Sequence, residues 1–598
     1  MEGPGNLVLC FSWWCRWIPL RYRDELCHIL CMTGPLLLSR ILNYLLPFVV
    51  TMFCGRLGNK VMAGYGLATA TINVTTAATG YGLGLACDTL VSQTFGGKNL
   101  KRVGVILQRS IIILLLFCLP CWGLLLNAQN ILVFLGQDVE VAGIAQLYIT
   151  AYLPAVPATF LHHLQMSYLQ NQGIILPQLY AAAGANIANV LINYALLHWL
   201  ELGVSGSAAA NTLAQICVCV FLFAYIWWKQ LHVKTWGGWS MESLQEWGSF
   251  MKLALPSSLM KCFEWWVYEF GGFFAGMLSE DELAAQHAVM MVSFITYMFP
   301  VGVQAAACAR VGNALGAGDT ARAILTCKVS FAVAGGFALI EGVVLGSTKS
   351  VIGFIFTSDK TVIGLVSNLM NVYCFLQFFD GLVVRDAFTE TTTFSQHDPT
   401  LFPQCVCTGI FLGTGRQRIP AVANFIGYYC IGLTLCVTFV FVAKLRILGF
   451  WLGLLICVIL QSTFYITVIF NLNWRKMTEE AVERALKNAE LTLFQTSIKS
   501  SENLELTGSC DNAGDDYISV PPAACDTRLI QKKTLSSAQL FLRRGLTMFV
   551  AVSLLLIGAS VHILVPVPSV TNGTTDWSVT VNTSLQGTAL PDGRLNSF

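Results

Sequence analysis

The chain has 598 residues, of which 55% are hydrophobic and only 11% charged, with a formal net charge of +2. Soluble domains carry about 25% charged residues, so this composition, with a mean hydropathy of +0.64, excludes an ordinary soluble protein and indicates a polytopic membrane protein. No basic block is present to neutralise phosphates, which excludes nucleic acid as a partner.

Residues 1–30 carry tryptophans with Arg16, Arg21 and Arg23 but no small-residue cleavage site, so they read as a cytoplasmic N-terminal segment and not a removable signal peptide. A spanning helix needs about 20 mostly apolar residues. Runs that qualify lie near 31–53, 62–87, 103–126, 140–165, 174–198, 203–227, 250–278, 283–308, 323–345, 361–384, 419–441, 446–470 and 544–566. They are too long for barrel strands. The fold class is therefore an all-α polytopic membrane protein, with two six-helix lobes followed by a thirteenth transmembrane helix. The N-lobe is assigned to 31–227, an amphipathic connector to 228–249, and the C-lobe to 250–470. Residues 471–543 begin with a charged helical run and turn Ser/Asp/Gly-rich, which predicts a largely disordered loop. The thirteenth span is 544–566 and the tail 567–598.

The division into lobes rests on a repeated phrase. Val91-Ser92-Gln93-Thr94-Phe95-Gly96-Gly97-Lys98-Asn99 recurs as Val311-Gly312-Asn313-Ala314-Leu315-Gly316-Ala317-Gly318-Asp319, an offset of 220 residues. Each copy ends an apolar run and opens a short loop carrying basic residues. Duplicated bundles of this kind are typical of transporters, whose sites lie between or within the halves near mid-membrane.

Loop charge sets the orientation. Even-to-odd loops hold Lys98, Lys101, Arg102, Lys229, Lys234, Arg310, Arg322, Arg416 and Arg418, against Arg56, Lys60, Lys349, Lys360, Lys444 and Arg446 in odd-to-even loops. The N-terminus and 471–543 are then cytoplasmic and the C-terminus extracellular. Asn572 and Asn582 begin two glycosylation triplets in that outer tail, which agrees with this topology.

A second repeat match, ending at Pro177 and Pro420, has an offset of 243 residues. The polar stretch Val384–Gln404 accounts for most of the difference, and its removal would make the tenth run continuous. A polar segment of this kind should not face lipid, and it reads as a suspect insertion, of the sort a retained short intron would leave.

Ionisable residues within spans are functional hypotheses by default. The seventh run has Glu264 at its midpoint, in Lys261-Cys262-Phe263-Glu264-Trp265-Trp266-Val267-Tyr268-Glu269. At 100° per residue Lys261, Glu264 and Tyr268 share a face, and Glu269 stands about 140° from Glu264. Burial in a low dielectric disfavours the charged carboxylate, so Glu264 is expected to exchange a proton. Its anion would attract an organic cation whose aromatic part Trp265 and Tyr268 could face. Helix packing alone is the bland reading, although packing more often uses Asn, Ser or Thr. Asp380 is a second acid of this kind. Asn73, Asn186, Asn189 and Asn193 offer uncharged hydrogen bonds or, equally, interhelical packing. Asp88 falls near a helix end and reads as a gate or structural residue. His162, His163 and His287 fall near run ends and are assigned no role. The 21 cysteines are scattered through apolar runs and lack the partners of a zinc site, so they read as packing. Neither a metal nor a nucleophile–base set emerges, and an enzyme is not expected.

Taken together, Ala86–Gln93, Phe263–Glu269, Arg310–Gly318 and Gly413-Thr414-Gly415-Arg416-Gln417 resemble the multidrug and toxin extrusion (MATE) family, in its animal branch with a thirteenth span. The resemblance implies two lobes in a V shape and export of organic cations and xenobiotics in exchange for protons. It implies no other cofactor, and it leads one to expect a plasma-membrane monomer whose remaining partners are lipids. The matching functional positions would be Asn73, Glu264, Trp265, Tyr268, Glu269, Tyr297 and Asp380, where the family usually has Glu at the last. Three departures make the cavity more positive: Met291 replaces an acid, Arg40 a neutral residue and Lys261 an apolar one. Arg40 and Lys261 either snorkel towards lipid or modify selectivity. In the second case the chain would be an exporter, or a related flippase, preferring zwitterionic, anionic or lipid-like substrates.

Overall fold

A computed structural model describes residues 19–57, 59–356, 359–381, 404–486 and 536–564. Apart from turns and short connections these residues are helical, with no strand among them. A helix bonds its backbone polar groups within its own segment, as an apolar medium requires. The first six helices are α1 Leu20–Leu57, α2 Asn59–Ile72 continued through a π turn Asn73–Ala77 into Ala78–Gly96, α3 Leu100–Leu125, α4 Val139–Tyr152 and Ala155–Asn171, α5 Leu176–Tyr194 and α6 Gly203–Trp228. The second six are α7 Trp247–Leu278, α8 Glu280–Gly316, α9 Thr320–Ile352, α10 Lys360–Gly381, α11 Arg418–Val442 and α12 Arg446–Phe470. A short helix Gln404–Thr414 precedes α11, and α13 Trp474–Leu486 and α14 Ser537–Leu564 complete the chain.

Among the described residues nine helices are long and apolar enough to cross a membrane singly, and the two halves of α4, bent by 57°, form a tenth candidate. Helix α7 is not among the nine; it carries Lys252, Lys261, Glu264 and Glu269 within its length. Helix α14 covers the thirteenth run. The insertion 384–404, apart from Gln404, lies outside the described residues, as do Asn572 and Asn582.

Each lobe has its own apolar core. One core collects side chains from Val50 to Ala254, and two others collect side chains of the second half. The first helix of each lobe reaches across. Tyr22 and Ile29 of α1 pack in a second-lobe core, whereas Trp247, Phe250 and Ala254 of α7 pack in the first.

The repeated phrase is a structural repeat. Lys98 and Gly318, 220 residues apart, both have left-handed backbones, with φ of 59° and 81°. The next residues, Asn99 and Asp319, cap the following helices by accepting from the amides of Arg102 and Arg322. The two copies also pack against each other. A Cβ on Gly96 would strike the Asn313 carbonyl and one on Gly316 the Gln93 carbonyl, so each close approach requires a residue without a side chain. Around this crossing Thr89 Oγ1 donates to Leu412 O and Gln93 Nε2 to Gly413 O, both at 2.8 Å, and Asn313 Nδ2 donates to Asn171 O at 3.2 Å. Glu25 of α1 accepts from Arg310 Nε of α8 at 2.9 Å. One end of the bundle is thus a closed seam between the lobes.

Helix α13, the charged run at the start of 471–543, is docked over that seam. Arg484 Nη1 donates to Gln93 Oε1 at 2.7 Å and Asn99 Nδ2 to Ala485 O at 3.2 Å, while Arg416 pairs with Glu480 at 2.8 Å. Helix α14 lies against α3, where Gly558 and Gly123 meet backbone to backbone and Asn127 Nδ2 donates to Gly558 O at 2.7 Å.

Candidate functional site

Helix α7 places the charged site. Lys261 and Glu264 are one turn apart, and the lysine ammonium donates to both carboxylate oxygens, at 3.1 Å and 2.9 Å. Their side chains are only 10% and 13% exposed. Tyr297 of α8 donates its hydroxyl to the same carboxylate. Tyr268, Tyr428 and Tyr465 complete a hydroxyl-rich surround, the first close to Tyr297 and the other two within electrostatic reach of Glu264. Glu264 therefore points into the second lobe, and Lys261 does not snorkel to lipid.

The aromatic neighbours point the other way, towards the first lobe. Trp265 packs on Tyr81 of α2 with ring centroids 5.8 Å apart. Trp266 Nε1 donates to Val74 O at 3.0 Å. That carbonyl is available because of the π turn, in which the Ala78 amide bonds back to Asn73 O instead of Val74 O. Asn73, half-buried, opens this turn. One turn beyond Trp265 and Trp266, Glu269 is exposed and has no ion-pair partner among the described residues.

Helix α1 supplies the opposite wall. Leu36 is buried with Ala305 and Ala306 of α8, and Tyr44 donates to Met291 Sδ at 3.6 Å. Arg40 lies on the same helix face, between these two contacts, and so turns inward and not towards lipid. It is within electrostatic reach of Tyr81, Asp88, His162 and His163.

Asp88 is buried and accepts from Ser167 Oγ at 2.6 Å and Asn171 Nδ2 at 2.7 Å. Thr89 and Gln93 of the same helix carry the seam. Asn186, Asn189 and Asn193 make helix-packing bonds: the first two donate to Leu42 O and Leu46 O of α1, at 2.8 Å and 3.1 Å, and Asn193 bonds Asn189. Asp380 falls in α10, but its side chain lies outside the described residues. The geometry thus brings together Lys261, Glu264, Tyr268 and Tyr297 on one side, and Trp265 and the π turn of Asn73 on the side of the first lobe, with Met291 and Arg40 along the contact of α1 with α8; Glu269 joins neither group.

Two features escape the sequence reading. His162 and His163 are not at a span end. The chain breaks at Leu153 and Pro154 and restarts as Ala155–Asn171, which places both histidines mid-helix and inward. Glu341 of α9 accepts from Gln377 Nε2 at 2.8 Å; Tyr373 donates to Gln377 at 3.1 Å and is also bonded to Thr296, the neighbour of Tyr297. The rule that selects Glu264, an acid inside an apolar run, selects Glu341 in 323–345 equally.

Residues 35–195 and 256–385 match the MatE family. The Multidrug and toxin extrusion protein 1 of Danio rerio is 48% identical over 468 residues, covering 78% of this chain and 76% of that protein. The chain belongs to the multidrug and toxin extrusion family. The Homo sapiens protein of the same name is 40% identical, covering 91% of this chain and 94% of the relative. The crystal structure of the eukaryotic MATE transporter AtDTX14 superposes with a TM-score of 0.71 at 25% identity, covering 78% of this chain and all of that one. This is a transporter family and not one of enzymes. Within the MATE fold, the two lobes and the repeated seam are parts of one membrane-embedded protein.

Proposed function

We propose that this chain is a proton-coupled antiporter that exports organic cations, drugs and toxins by alternating access of its two lobes. It resides in the plasma membrane with its N-terminus in the cytoplasm, and protons are its coupling ion. The observation that carries this reading is the environment of Glu264. A mostly buried carboxylate whose partners are one ammonium and one phenol can exchange its counter-charge: a proton or an organic cation satisfies it in place of Lys261. Tyr268 and Tyr297, on the same side as the carboxylate, offer aromatic faces for the apolar part of a cation.

With the cytoplasmic orientation that the loop charges indicate, the seam closes the inner side. Protonation and substrate then bias the lobe angle, each favouring the arrangement it binds better. Tetraethylammonium flux in proteoliposomes with an imposed pH gradient tests the reading. The wild-type chain moves it in exchange for protons and Glu264→Gln does not; exchange that survives in the variant refutes it. A second reading, preference for zwitterionic or anionic substrates, is favoured by two observations: Lys261 already occupies Glu264, and Arg40 turns inward without an ion-pair partner among the described residues.

A further inference from the structure

The first lobe contains a cluster of cationic and proton-donating groups that the Glu264 site does not use. Arg40 has no hydrogen-bond or ion-pair partner among the described residues, although it lies on the face of α1 that packs on α8. The acid nearest in charge, Asp88, is occupied by Ser167 and Asn171 and forms no ion pair with Arg40. His162 and His163 are 6% and 5% exposed, and their ring nitrogens have no side-chain partner; His163 has only a weak interaction with the Tyr81 backbone. The pocket is shaped for these rings. A Cβ on Gly84 would meet the His163 ring, with Nε2 at 2.7 Å, so the glycine is what lets the imidazole lie against α2. Tyr81 packs on His163 with centroids 4.3 Å apart and on Trp265 at 5.8 Å, forming an aromatic wall from this cluster to the second lobe.

A guanidinium is a planar fork of donors that matches a carboxylate, and imidazole N–H groups add further donors. Asp88 shares the same electrostatic neighbourhood, so a single negative charge suits the pocket better than a dianion such as phosphate. The aromatic wall calls for a ring beside that charge. One turn from Trp265 on α7, Glu269 stands without an ion-pair partner among the described residues, and it suits a positive group on the same molecule.

We propose that Arg40, with His162 and His163, forms a carboxylate-binding subsite, and that the chain binds aromatic zwitterions with their anionic end at Arg40. The proposal rests on the reading that the cleft is the transport site, and it is tested by binding so that the two can fail separately.

The full-length protein in lipid nanodiscs is titrated with three probes built on one ring: benzoate, 4-(trimethylammonio)benzoate and phenyltrimethylammonium. Tryptophan fluorescence and calorimetry report binding, and thermal unfolding confirms that each variant is folded. Arg40→Gln is expected to weaken benzoate and the zwitterion at least tenfold while leaving phenyltrimethylammonium unchanged. Glu264→Gln is expected to weaken phenyltrimethylammonium and spare benzoate. Equal zwitterion affinity in the wild type and Arg40→Gln, an equal loss of all three probes, or no benzoate binding by the wild type overturns the proposal. If Arg40→Gln does not fold, Arg40→Met, of similar length and uncharged, carries the same comparison. Benzoate binding that needs Arg40, together with cation binding indifferent to Glu264, supports the subsite and removes only the cation-exchange reading.

Discussion

In the proposed exchange at Glu264, Lys261 decides how much of the carboxylate charge an incoming cation can use. At 2.9 Å, in the effective dielectric of about 20 that suits partly buried pairs, the attraction is about 6 kcal/mol. A monovalent organic cation must displace this ammonium or accept a weaker position. Lys261→Met keeps the length and apolar stem of the side chain and removes only the competing charge. Dehydrating the bound cation consumes much of the gain, but if a quarter of it survives, about 1.4 kcal/mol, affinity rises tenfold. The assay is the concentration dependence of tetraethylammonium transport in proteoliposomes, run beside thermal unfolding of each purified variant. The expected result is a KM at least tenfold lower in Lys261→Met. An unchanged KM in a folded variant would show that the cation never meets Glu264, and the argument built on this pair would fall.

Gly316→Ala places a Cβ 2.7 Å from the Gln93 carbonyl carbon. Overpacking of that kind costs about 1–3 kcal/mol, which should weaken the closed seam and raise maleimide labelling of Cys87 and Cys308, both buried in the wild type; labelling at the wild-type rate would contradict this. Trp266→Phe removes the donor to Val74 O and leaves that carbonyl unsatisfied, for an expected stability loss of about 1–3 kcal/mol, read as a lowered thermal midpoint. Asp359 accepts from the Thr361 amide at 2.8 Å and hydroxyl at 2.7 Å, and these bonds hold its carboxyl below the usual carboxylate range. A lowered folded value means the cap is fully present above the free aspartate value of about 3.9 and lost as pH falls through the folded value. Hydrogen exchange in the first turn of α10 should therefore quicken in acid beyond its intrinsic pH trend, and Asp359→Asn should abolish that extra dependence.

Much of this architecture is written locally. The thirteen apolar runs all contain helix, because length and hydropathy alone decide that a segment buries its backbone in this way. The repeated phrase announces the lobes, since its left-handed position and capping residue recur at a fixed spacing. The Lys261–Glu264 contact is legible from helical periodicity. The direction of Arg40 is not, because a helix face acquires meaning only when Leu36 and Tyr44 find partners on α8. The π turn at Asn73 is equally invisible, since it changes one hydrogen-bond register without altering hydropathy. His162 and His163 are misplaced by the reading for a related reason: Pro154 breaks α4 early, and the second half then extends to Asn171, beyond where the apolar run ends.

The two copies of the duplicated phrase do not merely resemble each other; each is the socket for the other. Gly96 admits the backbone at Asn313 while Gly316 admits the backbone at Gln93, so neither contact can loosen without straining its twin. A lock of reciprocal parts tends to be either engaged or released, with few stable settings between. In the mechanism proposed above, the rocking of the lobes inherits an all-or-none character from the doubling of a single stretch of chain.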